Sequence, residues 1–193
     1  VQAQGNSSFS LEEIQTSIQQ AFESSIQQQN AERFDQLDRQ LENLHKQSPT
    51  NLIVYWRSYL HFYKAIYYLQ NKKEDDAEDA TDQAIDWMED LDSKNTEDYA
   101  LLGMLRGFSI PFKSGFRAPF IGSDAEEEGE KAAELEEKNL RAWYVIANND
   151  FHRPEAFGGG RVVESSLEKA LACPDQLVKN AYMPVSYTHL RAH

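Results

Sequence analysis

Gly158, Gly159 and Gly160 stand directly before Arg161, and in this stretch the backbone itself could contact a ligand. Consecutive glycines permit positive φ and expose neighbouring N–H groups. A helix starting near Arg161 would add its positive end and a guanidinium, so the chemistry on offer is anion recognition. The phosphate-loop pattern G-x-x-x-x-G-K-[ST] is absent and no strand pattern precedes the glycines, so a nucleotide loop is not expected. The competing role is a structural turn in which Phe157 staples two helices together.

Aromatic residues supply the second kind of chemistry. Tyr55, Tyr59, Tyr63 and Tyr67 recur every four residues and so form one slanting stripe on a helix, with Trp56, Phe62 and Tyr68 beside it. Rings with polar tips suit peptide or sugar contacts, although core packing competes for half or more of them. Phe112, Phe116 and Phe120, with Arg117 among them, lie in a connection rich in proline and glycine, where a binding loop and a packed repeat end are equal readings.

The remaining polar groups argue against catalysis. The run Glu74, Asp75, Asp76, Glu78, Asp79, Asp82 and Asp86 lacks the tight glycine loop that calcium needs and reads as a solvated helix face. His61 and His152 have no H-E-x-x-H or triad context, no G-x-S-x-G elbow occurs, and the single cysteine, Cys173, reads as a small buried residue near a helix end. No catalytic residue, metal ligand or cofactor is expected.

Composition sets the class. The 193 residues are 40% hydrophobic and 26% charged, which suits one globular domain, and no apolar run is long enough for membrane insertion. With 19 Lys and Arg against 32 Asp and Glu, the formal net charge of −13 would repel a phosphate backbone, so nucleic acid is not expected as a partner.

The elements that must position these groups are helical hairpins. Asn51, Asn95 and Asn139 stand at equal intervals of 44 residues, and Tyr55, Tyr99 and Trp143 follow the same offset, as do Ser58, Leu102 and Ile146. Hydrophobic periodicity predicts hairpins over about 10–48, 51–91, 95–138 and 139–173, with a further helix starting over 175–184. Ser10 and Glu13 have the form of a capping box, and Ala77, Ala80 and Ala84 give one helix a small-residue face for close packing. The expected fold is an all-α, right-handed solenoid of about four antiparallel hairpins covering 10–184.

Tyr99-x-x-Leu102-Gly103 and Trp143-x-x-Ile146-Ala147 resemble the first-helix pattern of tetratricopeptide repeats, although the repeat is longer than usual and Tyr59 falls on the small position of its own repeat. Arg153-Pro154-Glu155-Ala156-Phe157-Gly158-Gly159-Gly160, with Phe116-Arg117-Ala118-Pro119-Phe120-Ile121-Gly122 before it, resembles a group of exported tetratricopeptide-like proteins of Bacteroidetes type. Similar glycine turns occur in the helical-repeat companion of periplasmic TRAP transporters.

The ends carry two further expectations. Val1-Gln2-Ala3 has the small-residue pattern of a signal-peptidase site, so 1–9 reads as an export remnant and polar leader, with Gln4 as the mature N-terminus. The nine residues 185–193 resemble translated sequencing-adapter read-through and are expected to add nothing to the fold. The expected function is therefore a non-catalytic, periplasmic scaffold that binds a protein or peptide partner. A small-ligand accessory of a transporter is the alternative, and an enzyme is third.

Overall fold

The computed structural model describes residues 11–113 and 115–174. The expected leader 1–9, Ser10 of the capping box, the further helix 175–184 and the tail 185–193 lie outside the described residues. Within the described residues the secondary structure is entirely helical. A 3-10 turn over Leu11–Glu13 leads into α1 (Ile14–Gln28), α2 (Glu32–Gln47), α3 (Asn51–Gln70) and α4 (Glu74–Glu89), followed by α5 (Thr96–Ser109), α6 (Ala118–Leu135), α7 (Leu140–His152) and α8 (Val163–Ala172).

Four hairpins, α1/α2, α3/α4, α5/α6 and α7/α8, stack in chain order, with α2 on α3, α4 on α5 and α6 on α7. The first helices α1, α3, α5 and α7 also touch in series. This is the all-α hairpin array that the repeat predicts.

Apolar spacing explains each helix. In α1 the buried Ile14, Ile18, Ala21 and Ser25 recur every three or four residues, and in α2 Phe34, Leu37 and Leu41 do the same. Ala77, Ala80 and Ala84 are buried where α4 packs on α3, as their small size predicts. Helix α6 begins at Ala118, with Pro119 in its first turn, where a missing N–H costs nothing.

The large core runs from α1 to α5 through Ile18, Phe34, Trp56, Leu60, Met88 and Leu102. A smaller, alanine-rich core of Ala100, Ala132, Ala133, Ala142 and Val145 joins α5, α6 and α7.

The helix caps correct the repeat register. Asn95 and Asn139 are N-caps, and Asn95 forms a reciprocal capping box with Asp98. In the preceding repeat the cap is Thr50, whose side chain accepts from the N–H of Ile53; Asn51 is the first helical residue and donates instead to the carbonyl of Ser93 at 2.7 Å. The asparagine spacing therefore misplaces that repeat by one residue.

Counted from the caps, Ser58, Gly103 and Ala147 occupy one position, eight residues into each helix, and all three are small and buried. A Cβ on Gly103 would lie 3.0 Å from the carbonyl of Ala125, so a close approach of α5 to α6 demands the small residue there. Tyr59 is thus not an exception to the small position. Nor are Tyr55, Tyr99 and Trp143 equivalent: Tyr55 is buried in the large core, whereas Tyr99 and Trp143 are half-buried against the alanine core and match Val54.

A polar cluster ties α2, α3 and α4 together. Arg57 donates to both carboxylate oxygens of Asp38, at 2.7 and 3.2 Å, and Nε2 of His61 lies 3.3 Å from Asp38. The Arg57 guanidinium also lies 4.2 Å over the Trp87 ring, against which His61 sits edge-on at 4.8 Å. Burial pushes the Asp38 carboxyl up, but the close approach of His61 and the two hydrogen bonds and charge of Arg57 win and hold it well below the ordinary range. A depressed folded-state pKa gives stability that is present above about pH 4 and lost as pH falls through the folded value. Asp38→Asn is therefore expected to flatten the acid limb of a stability-against-pH curve measured by urea unfolding. An unchanged acid limb would show that the cluster adds nothing.

Candidate functional site on the first-helix face

The caps place equivalent residues of α3, α5 and α7 in rows across the array. Two residues past each cap stand Leu52, Glu97 and Arg141; nine past each stand Tyr59, Met104 and Asn148. Tyr59 stacks on Tyr55 with ring centroids 6.2 Å apart and meets Tyr63 at 5.1 Å, and Phe22 of α1 packs edge-on against Tyr63 at 5.6 Å. On the next pair of first helices, the side-chain amide of Asn148 lies 3.8 Å from the sulfur of Met104.

Charge is concentrated where α5 meets α7. Arg141 forms a two-pronged pair with Glu97, Nε to Oε2 and Nη2 to Oε1, each at 2.5 Å. The fully buried Asn139 donates to Glu97 at 2.7 Å and to the Thr96 hydroxyl at 2.9 Å, and Thr96 donates to the carbonyl of Ala132 at 2.8 Å. Three elements thus share one network.

Burial would lower the Arg141 pKa, but the hydrogen bond and charge of Glu97 raise it further. Burial, reinforced by the Glu97 charge, raises the neighbouring Tyr55 phenol well above its ordinary value. A buried pair of this kind fixes the register of packed elements more than it adds net stability.

Asp98 shows the opposite balance to Asp38. Burial raises its pKa to about 6, outweighing the N–H of Asn95 that it accepts, and the Glu97 charge adds to the rise. The folded state therefore holds a proton that the unfolded chain releases near pH 4. The stabilising contribution is full below that value and is lost as pH rises through about 6. Asp98→Asn, which keeps one acceptor oxygen for the cap, is expected to remove this decline and to raise stability at pH 7 by about 1–2 kcal/mol. Urea unfolding at pH 5 and pH 7, compared between the two proteins, checks it.

The tyrosine stripe divides between core and surface. Tyr55 and Tyr67 are buried, while Tyr59 and Tyr63 are half-buried on the first-helix face, their hydroxyls 3.4 Å apart. Phe116 and Phe120 are 83% and 66% exposed and tilted against each other, with Arg117 exposed beside them.

At the glycine turn Gly158 and Gly160 have φ of 84° and 80°, the left-handed region that favours glycine. Phe157 is 64% exposed, so the expected staple is corrected. The N–H groups of Gly158, Gly159 and Gly160 donate to the carbonyls of Glu155, Pro154 and Asp150, and the carboxylate of Asp150 accepts from the N–H of Val162 at 2.7 Å. The amides that would greet an anion are thus met by the chain's own oxygens. Arg161 is exposed, its guanidinium lying against Gly158, and Arg161→Ala is expected to change stability by less than about 0.5 kcal/mol in thermal unfolding.

The structure does not gather these candidates into one site. The tyrosines belong to α3, whereas Phe116, Arg117, Phe120 and the glycine turn lie at the connections of the last two hairpins. Glu97, Arg141 and Asn148 escaped sequence reasoning, and Asn139 entered it only as a repeat marker, although Glu97 and Arg141 each follow a cap asparagine by two residues. Among the described residues no group of three or more His, Cys, Asp or Glu side chains could hold a metal ion, and no helix is long and apolar enough to cross a membrane.

Residues 6–100 match the family model for the HTH-type transcriptional regulator Rgg, C-terminal domain. The match takes in α1 to α4 and the start of α5, just under half of the chain, and includes the whole tyrosine stripe. No curated protein and no solved structure matches the chain.

The family match overturns the resemblance to exported tetratricopeptide-like proteins, and with it the expected envelope scaffold, the transporter accessory and the periplasmic location. Small residues at close helix contacts and glycines in turns are demands of any hairpin array, so they do not distinguish an exported protein from a regulator. The exclusion of nucleic acid is corrected on the same ground. A net charge of −13 describes the summed surface of this chain, whereas a helix-turn-helix regulator reads DNA through one local motif.

Proposed function

We propose that this helical array serves transcriptional regulation, as the partner domain of a DNA-reading helix-turn-helix, and works where the DNA is. The match of residues 6–100 to the C-terminal domain of an HTH-type regulator carries the reading. The geometry suits a regulatory rather than a catalytic role. Successive hairpins are locked by buried contacts such as Glu97 with Arg141 and Asn139, so a disturbance at one hairpin is passed to the next as a change of packing. The half-buried Tyr59, Tyr63, Met104 and Asn148 form the surface on which such a disturbance would act.

The test is immunoprecipitation of the tagged native gene product with sheared chromatin, together with cell fractionation. Enrichment of discrete promoter regions is the expected result. A product recovered in the envelope fraction with no enriched DNA would overturn the reading.

A further inference from the structure

On α5, Tyr99, Leu102 and Arg106 follow one another at helical spacing on the side opposite Glu97 and Met104. They floor a cleft of about 330 Å³ that is walled by the end of α4 and by α6, a volume at the small end for ligand pockets. Leu102 is buried at its base and Tyr99 is half-buried along it.

Two of the polar groups around this floor, Lys94 and Lys131, are donors with capacity to spare. Lys94, from the α4–α5 link, gives hydrogen bonds from its ammonium to the carbonyls of Glu89 and Leu91 at 2.9 and 3.0 Å, which leaves one of its three donors. Lys131 of α6 pairs with Glu127 at 2.8 Å, stands 5.7 Å from the Tyr99 ring, and keeps two. The two terminal nitrogens of Arg106 face Glu89 at 3.0 Å, Asp124 at 3.2 Å and Glu128 at 3.8 Å, while its Nε is buried with no hydrogen-bond partner.

Glu128 is 9% exposed and its Oε2 is likewise without a partner. Burial pushes this carboxyl above the ordinary glutamate range despite the nearby Lys131 and Arg106 charges. Three cations thus stand beside an aromatic ring, Arg106 matched by Glu89, Asp124 and Glu128 and Lys131 by Glu127, with Lys94 paired only to backbone carbonyls.

We propose that this α4–α5–α6 cleft binds a small organic carboxylate with a flat apolar body. The carboxylate meets the ammonium groups of Lys94 and Lys131, and the body lies on the half-buried Tyr99 ring. Glu89, held by Arg106 at the rim, disfavours ions of higher negative charge.

The test is amide NMR titration of the full chain with benzoate, inorganic phosphate and phenethylamine as separate probes. Benzoate at millimolar concentration is expected to shift amides of Lys94, Tyr99, Leu102, Arg106 and Lys131, with phosphate and the amine giving much weaker effects. Lys131→Met, which keeps the apolar stem, is expected to weaken benzoate binding about tenfold. Absence of localised shifts with benzoate would overturn the proposal. So would equal binding of phosphate, which needs no apolar floor, or preference for phenethylamine, which would make the carboxylates the recognising groups. Unchanged binding by Lys131→Met would overturn it as well.

Discussion

Asn139→Leu is expected to lower the unfolding free energy by about 3–5 kcal/mol, measured by urea unfolding with an unchanged m-value. Three losses add. The side-chain oxygen that accepts from the N–H of Arg141 disappears, and an N-cap of this kind contributes roughly 1 kcal/mol. The amide that donates to Glu97 and Thr96 also goes, leaving an acidic group that is only 3% exposed with fewer donors, at a cost of about 1–3 kcal/mol. The larger leucine must then fit a site with no exposed surface, which costs about another 1 kcal/mol.

Asn95→Ala is the control, because Asn95 caps α5 from an exposed position and should cost only about 1 kcal/mol. Equal losses for the two variants would mean that the buried network between α5 and α7 contributes nothing beyond the cap.

Gly159→Val is expected to cost about 2–4 kcal/mol and to loosen α8. The reason differs from that at its neighbours. Gly158 and Gly160 need glycine for positive φ, and alanine there costs about 1–2 kcal/mol. At Gly159 any Cβ would overlap the backbone carbonyl of Arg153, and backbone cannot swing aside as the tip of a long side chain can. Hydrogen exchange of the α8 amides, Val163–Ala172, should quicken more in Gly159→Val than in Gly160→Ala, since an added Cβ at Gly160 meets open space. The reverse order would show that the turn is tuned by dihedral preference alone.

Much of the architecture was legible because helical periodicity is a local property. Buried residues every three or four positions mark a helix wherever its partner lies, and Pro, Gly and Asn mark its ends. The hairpin order followed from those signals and from short polar turns. Equal spacing of one residue type does not mark equal structural positions. Asparagine serves as N-cap at 95 and 139, but at 51 it sits one residue inside a helix capped by Thr50, where its amide reaches Ser93 instead. Either use suits an asparagine, so residue type alone does not separate them.

The candidate sites were less legible. A stripe of tyrosines every four residues defines a helix face, yet Tyr67 is buried beside the fully buried Phe34 of α2 while Tyr63 stays half-exposed beside Phe22 of α1. The glycine run signals positive-φ backbone, which Gly158 and Gly160 adopt, but it does not reveal that its N–H donors are taken by Pro154, Glu155 and Asp150. Overall charge misdirected the partner assignment, because a sum over the chain carries no information about where a function resides.

The sequence by itself determined that the chain forms paired helices, where most of them begin and end, and that Ala77, Ala80 and Ala84 permit close packing. Only the tertiary structure decided which residues meet across hairpins. It paired Glu97 with Arg141 and closed Lys94, Arg106 and Lys131 around Tyr99. These contacts join residues of different helices, and their geometry follows from how the hairpins lean on one another, which short-range periodicity does not encode.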